Sequence, residues 1–382
     1  MANLNSWQKL TRVIPGRPFG DGRDGNVTIS GNTTQSLTVK SCSGSATSST
    51  LTIGSSGFTN GDVVLIHQSR GTGVGQWEIN TISSGGGSTT LTMQTALQYT
   101  YTDSGASQAQ VMKIPMYSNA TINTGITWSG TDWNQDTGGI FVIGVSNTLT
   151  VTGTIENAGG NGSGSTSNHA GAGTGGGYYG GYNVTTPTGG AQQGEGTAGA
   201  GAESGSRNAN GGGGCPQAVG IEPGGGGGHG TAGDAYSAQE GGTTAGSADL
   251  VTLVFGGGGG GARNDTGSGA GGGGAGGGVV AIFAQNITVT GATSANGGNG
   301  GSSGVSGSAG AGGAVLLVCR TATLGSSLVY ANGGTTGANG GAGRIAIHHS
   351  GTVTGTTSPT FTDVTDTSLV ETLGGSFLLN LI

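Results

Sequence analysis

A strand signature recurs in the second half of the chain, and glycine-saturated segments separate its copies. One copy runs Gly138-Gly-Ile-Phe-Val-Ile-Gly-Val-Ser-Asn-Thr-Leu-Thr-Val-Thr-Gly and ends at Asn157-Ala-Gly-Gly-Asn-Gly162. A second runs Gly277-Gly-Val-Val-Ala-Ile-Phe-Ala-Gln-Asn-Ile-Thr-Val-Thr-Gly and ends at Asn296-Gly-Gly-Asn-Gly-Gly301. A looser third begins at Gly312-Gly-Ala-Val-Leu-Leu-Val and closes at Tyr330-Ala-Asn-Gly-Gly334, and Gly343-Arg-Ile-Ala-Ile-His-His reads as a truncated fourth. Each unit has too little apolar surface to form a core alone, so the units must stack on one another. An elongated structural body is expected rather than a pocketed catalytic domain.

Glycine is the obstacle to any such fold. The chain has 91 glycines in 382 residues and only 8% charged residues, against about 7% glycine and about 25% charged in an average globular chain. Disordered chains are strongly charged or proline-rich, and this one is neither. Residues 1–150 hold 21 glycines and residues 151–350 hold 66, so an ordinary β-rich front precedes an unusual rear. The runs Gly211–Gly214, Gly224–Gly228, Gly256–Gly261 and Gly271–Gly278, the last broken by Ala275, are each long enough to act as a structural element. As an extended threefold helix with about 3.1 Å rise, a run of five spans roughly 15 Å. Glycine keeps its N–H and lacks a side chain, so parallel runs can approach closely and bond laterally. Ordering so much glycine costs about 1–2 kcal/mol per residue. Only a lattice that satisfies nearly every backbone group can hold it, and a compact array of neighbouring threads is therefore expected.

The front alternates at the strand period in Asn26-Val-Thr-Ile-Ser, Ser36-Leu-Thr-Val-Lys, Thr50-Leu-Thr-Ile, Gly61-Asp-Val-Val-Leu-Ile-His-Gln, Gln76-Trp-Glu-Ile-Asn and Ser88-Thr-Thr-Leu-Thr-Met. No segment of useful length has helical periodicity. The fold class is all-β: an N-terminal small β-barrel or sandwich followed by stacked strand repeats with threadlike glycine segments. The divisions are an attachment segment at 1–25, a β-rich domain at 26–118, the stacked and glycine-rich domain at 119–355 and a strand tail at 356–382.

Net charge is −7, and the few cations do not cluster, so nucleic acid is not an expected partner. The first residues lack the apolar run of a signal peptide, and no stretch is apolar enough to span a bilayer as a helix. Cys42, Cys215 and Cys319 lack metal-ligand spacing and read as idle thiols. Residues 1–25 carry Lys9, Arg12 and Arg17 with little apolar content, and they are expected to dock on a partner subunit. No cofactor is expected.

Three segments carry candidate chemistry. Asp132-Trp-Asn-Gln-Asp136 offers two carboxylates around a tryptophan, the parts of a polysaccharide-cleaving site. In a strand they stand about 13 Å apart, too far for a pair, and an Asx-type turn is the alternative. His348-His349 sits on a strand that points its rings to opposite faces. Tyr178, Tyr179 and Tyr182, three rings framed by glycine, suit recognition of a sugar or a protein, or else cap the glycine array. His169, Tyr236 and the loop Cys215–Pro223 extend that candidate surface.

The alternation of glycine runs with variable loops, as in Gly175-Gly-Gly-Tyr-Tyr-Gly-Gly-Tyr-Asn183 and Asp234-Ala-Tyr-Ser-Ala-Gln-Glu240, resembles the glycine-rich tip adhesins of tailed-phage fibres over roughly residues 159–343. The resemblance implies a sandwich of polyglycine II helices with receptor-binding loops at one end, in a non-enzymatic virion protein. Its partners would be other tail subunits and a host glycan or outer-membrane protein, and it could form a homo-oligomer. A subunit of a microbial extracellular filament or matrix is the alternative. A polysaccharide-cleaving tailspike and an ice-binding protein stand further off, the latter because it requires regular Thr or Ala arrays on one face.

Overall fold

The computed structural model describes residues 18–186, 189–216, 221–266, 268–367 and 369. Most of the expected attachment segment, part of the 215–223 loop and most of the strand tail lie outside the described residues. Residues 18–25 pack on their own chain: Phe19 is buried, Asp24 N donates to Met116 O at 2.9 Å, and Met116 N donates to Asp24 Oδ2 at 2.7 Å.

The protein is all-β. Six antiparallel strands, β1 (Val39–Ser43), β2 (Thr50–Ile53), β3 (Val63–Arg70), β4 (Trp77–Ser84), β5 (Thr90–Met93) and β6 (Gln108–Lys113), close a barrel in the order β1-β2-β5-β4-β3-β6. Of the two front-region architectures expected, the closed barrel is the one formed. Alternation sorts its side chains. Val64, Ile66, Leu51, Leu91 and Val111 fill the barrel interior, and Val63, Leu65, Trp77 and Ile79 point outward into a second core.

The recurrent strand units form a parallel sheet. Strands β7 (Ile140–Val151), β8 (Val279–Val289), β9 (Ala314–Tyr330) and β10 (Arg344–His349) are consecutive neighbours, with Ile140, Val279, Ala314 and Arg344 in register. The sheet bends back on itself through Ala292–Ser294, Thr154–Glu156, Thr127–Ser129 and Thr33–Thr34, so each pass of the chain is one turn of a solenoid. Phe141, Ile143, Val280, Ile282, Val315 and Leu317 fill its interior. Ile140, Val142, Val279, Phe283 and Leu316 face the barrel. Both faces are covered there, which is why these segments read as unbroken apolar runs rather than alternating ones. The corner after β7 needs Gly153, where a side chain would strike the Asn123 and Ile126 carbonyls.

The boundary between the two regions differs from the expected one. Val27–Ile29 pairs in parallel with Ala120–Ile122, and Thr33–Thr34 with Thr127–Ser129, so residues 27–34 begin the solenoid and the barrel is inserted after them. At the other end, Val353–Ser358 pairs with β9 and Thr362–Thr365 with β10, which carries the solenoid past residue 355. Local alternation does not distinguish a barrel strand from a solenoid strand.

Candidate functional site

The glycine-rich segments are the connections between neighbouring parallel strands, and they fold into a lattice. The segment 256–263 reveals its symmetry. Gly256, Gly259 and Ala262 donate to Gly277, Gly274 and Gly271, each at 2.9 Å. Gly257, Gly260 and Arg263 donate to Gly228, Gly225 and Glu222 at 3.1, 2.8 and 3.0 Å, and Gly258 and Gly261 donate to Glu195 and Gln192 at 3.0 and 2.9 Å. Every third residue thus addresses the same neighbour, the signature of a helix with three residues per turn. The carbonyls complete the shell: Gly259 and Ala262 accept from Gly181 and Val184, Gly257 and Gly260 from Ala311 and Ser308, and Gly258 from Gly212. One thread therefore has six neighbours. The thread 271–278 is similarly enclosed, donating to 305–311, 157–163 and 178–181 and accepting from 173–177, 298–301 and 256–262. Nearly every backbone group is paired, which is how the lattice meets the cost of ordering glycine. Its margin is a ladder of asparagines, with Asn161 Oδ1 accepting from Asn299 N at 2.8 Å and Asn299 Oδ1 from Thr335 N at 2.9 Å.

One end of the lattice is keyed to the barrel and the sheet. Tyr178 is fully buried against Trp133 and Phe255, at centroid distances of 6.3 and 5.3 Å, and its hydroxyl donates to Ser69 O on β3. Arg70, also on β3, forms a buried ion pair with Glu195. Glu195 further accepts from Trp133 Nε1 at 3.1 and 3.2 Å and from Tyr179 N at 3.0 Å. Burial pushes the Glu195 carboxyl up, against these hydrogen bonds and the Arg70 charge. His67 closes the junction between Ser69 Oγ at 2.8 Å and Leu253 O at 2.7 Å.

The expected recognition tyrosines are divided by the same threefold symmetry. Tyr179 and Tyr182 are three apart and share one side of their thread, whereas Tyr178 points a third of a turn away into the core. Tyr178 is thus corrected from a recognition residue to a junction anchor. Tyr179 is partly buried against the same core.

Tyr182, His169 and Tyr236 lie at the opposite end, where the threads turn. Val184 N donates to Ala262 O, His169 N to Asn183 O, and Arg263 N to Glu222 O, which puts His169, Asn183–Val184 and Glu222 level with the end of the 256–263 thread. Gly213 donates to Glu240 O, so the Tyr236–Gln239 turn is at that end too. The exposed large apolar side chains among the described residues are Tyr182 (36%), Ile221 (48%) and Tyr236 (42%), and all three are here. His169 pairs with Glu203 at 3.3 Å with both side chains about half exposed. Ile221 belongs to the Cys215–Pro223 loop expected on this surface, although the sequence does not single out that side chain.

The remaining candidates have structural surroundings. Asn134 Oδ1 accepts from Asp136 N at 3.0 Å and from Thr137 N at 2.8 Å, so Asp132-Trp-Asn-Gln-Asp136 forms the Asx-type turn, and Asp132 Oδ1 accepts from Gly176 N at 3.3 Å. Burial and the neighbouring Asp103 raise the Asp136 carboxyl. His348 Nε2 lies 2.7 Å from Asp249 O, and His349 Nε2 lies 2.7 Å from Asp363 Oδ1. Cys42, Cys215 and Cys319 are buried, and burial pushes Cys215 to about 11 and Cys319 to about 12. Among the described residues, no group of three or more His, Cys, Asp or Glu gathers to hold a metal. Among the described residues, no helix is long and apolar enough to cross a membrane. Comparison with family models and with curated proteins returned no match.

Proposed function

We propose that the protein is a non-enzymatic attachment protein that presents variable loops on a polyglycine II lattice, as a tail-fibre or receptor-binding component of a phage. The observation that carries this reading is the concentration of exposed large apolar side chains, Tyr182, Ile221 and Tyr236, on the thread connections at the end far from the barrel. Exposed aromatic rings on a rigid frame provide contact area at low entropic cost, the usual chemistry of a recognition surface. A lattice braced by backbone hydrogen bonds leaves the turn residues free to vary, because they contribute little to the core. The partner would be a host surface glycan or an outer-membrane protein. Union with the rest of the virion falls to residues 1–17, since Phe19 is already committed to this chain's own core.

The test is adsorption to host cells by protein carrying Tyr182→Ala, Tyr236→Ala and His169→Ala together. Adsorption is expected to be lost while circular dichroism is retained, and full adsorption would overturn the assignment. A chain lacking residues 1–17 should fold and adsorb yet fail to enter particles.

A further inference from the structure

The outer face of the solenoid sheet carries a side-chain row that the loop end does not explain. Thr28, Thr121, Thr150, Thr288, Thr323 and Thr354 follow one another in register across six parallel strands. Their sequence neighbours Leu149, Val151, Ile287, Val289 and Ala322 point into the solenoid core, so alternation turns the threonines outward, where they are half-buried or exposed. Parallel strands are about 4.8 Å apart, so the row presents a methyl and a hydroxyl at each step over roughly 24 Å. Two residues earlier, Thr148, Asn286 and Thr321 form a second row in register, about 6.6 Å from the first. Asn119 and Asn26 continue that row, with Asn119 Nδ2 donating to Asn26 Oδ1 at 3.0 Å. Thr152 and Thr290 begin a third. The Thr354 hydroxyl lies 3.5 Å from Ala322 O. The other five hydroxyls of the first row have no protein partner among the described residues.

These rows contain no charged and no aromatic side chain; Arg320 stands only at their margin. A neutral, periodic ligand set matches a neutral, periodic partner. A crystalline sugar polymer is the less suitable one, because the rows hold no stacking platform: Trp128 is buried in the inner core and Tyr117 packs half-buried against that core. Methyl groups order the water over them, and regularly placed hydroxyls anchor it. The two spacings lie close to oxygen repeats in crystalline water. We propose that this threonine face binds ice, through rows of Thr hydroxyl and methyl groups centred on Thr150 and Thr288. The site is on the strands and independent of the loop end.

The full chain is to be tested for thermal hysteresis and for partition into a slowly grown ice shell. Faceted crystals, a hysteresis gap and enrichment in the ice are expected. Thr150→Lys with Thr288→Lys should abolish all three with an unchanged melting temperature, and the milder Thr288→Val, which keeps the methyl group, should reduce the gap. Tyr182→Ala with Tyr236→Ala should leave it intact. Exclusion of the unaltered protein from ice would overturn the proposal, as would full ice binding by a folded double-lysine variant. Retention on microcrystalline cellulose or chitin together with exclusion from ice would transfer the face to a sugar lattice and equally overturn it.

Discussion

The barrel and the glycine lattice occupy one chain but solve the interior in opposite ways. In the barrel, Leu51, Phe58, Ile66, Leu91 and Val111 fill the space with side chains, and the backbone is held at strand spacing. In the lattice, the backbone itself is the filling: a methyl group built on Gly258 would fall on the Tyr179 carbonyl oxygen, and one on Gly260 on that of Gly213. A side-chain core responds to atoms removed and tolerates rearrangement. A backbone core has nothing to remove and no room for an addition, so its stability rests on hydrogen-bond geometry rather than apolar area.

That contrast can be broken most forcefully at Gly258. Gly258→Val should cost more than about 4 kcal/mol, because the side chain separates threads and breaks several lateral bonds at once; thermal unfolding measures it, and an unchanged midpoint would reduce the segment to a linker. Arg70→Ala comes next. It strands the buried Glu195 carboxylate and should cost about 3–5 kcal/mol, much of it recovered by combining Arg70→Met with Glu195→Gln. In the barrel, Leu51→Ala should cost about 3 kcal/mol as an ordinary cavity, read from the shift of the denaturant midpoint. A pH effect of at most about 3 kcal/mol is expected from His229. Burial lowers this histidine to about 4 from 6.5, against hydrogen bonds to Gly312 O and Gly313 O. The unfolded chain therefore takes up a proton that the folded one refuses, and stability complete above about pH 6.5 is lost as pH falls toward 4. His229→Asn should flatten that part of the denaturation profile. The smallest effect belongs to the loop end, where Tyr182→Ala and Tyr236→Ala should each change stability by less than about 0.5 kcal/mol.

The sequence disclosed the parts that repeat. The four strand units beginning near Ile140, Val279, Ala314 and Arg344 are successive parallel neighbours, and glycine runs too costly to order singly are bonded side by side. Residues 27–34 carry no local mark of the solenoid, because Val27-Thr-Ile alternates as any strand does. The available signal was similarity across the barrel insertion: Val27-Thr-Ile-Ser-Gly resembles Leu149-Thr-Val-Thr-Gly and Ile287-Thr-Val-Thr-Gly. The threonine row has no signature within any one strand, because it is set by the register between strands that long and irregular loops separate in sequence. The fate of Tyr178 followed from a period of three that becomes visible only when the thread is placed among its neighbours. The Arg70 and Glu195 pairing joins groups 125 residues apart and has no local signature.

The connections between strands differ greatly in length, yet the strands they join remain adjacent. The chain leaves the sheet after Glu156 and returns at Val279, whereas it leaves after Ser294 and returns at Ala314. Since it must come back to the same edge, each excursion consists of outward and returning threads in equal number. Growth or shrinkage of such a molecule is thereby quantised: a hairpin of two threads can be gained or lost without shifting any strand, while a single thread would deliver the next strand to the wrong end. Variation in the number of hairpins would widen the displayed end and leave the sheet beneath it unaltered.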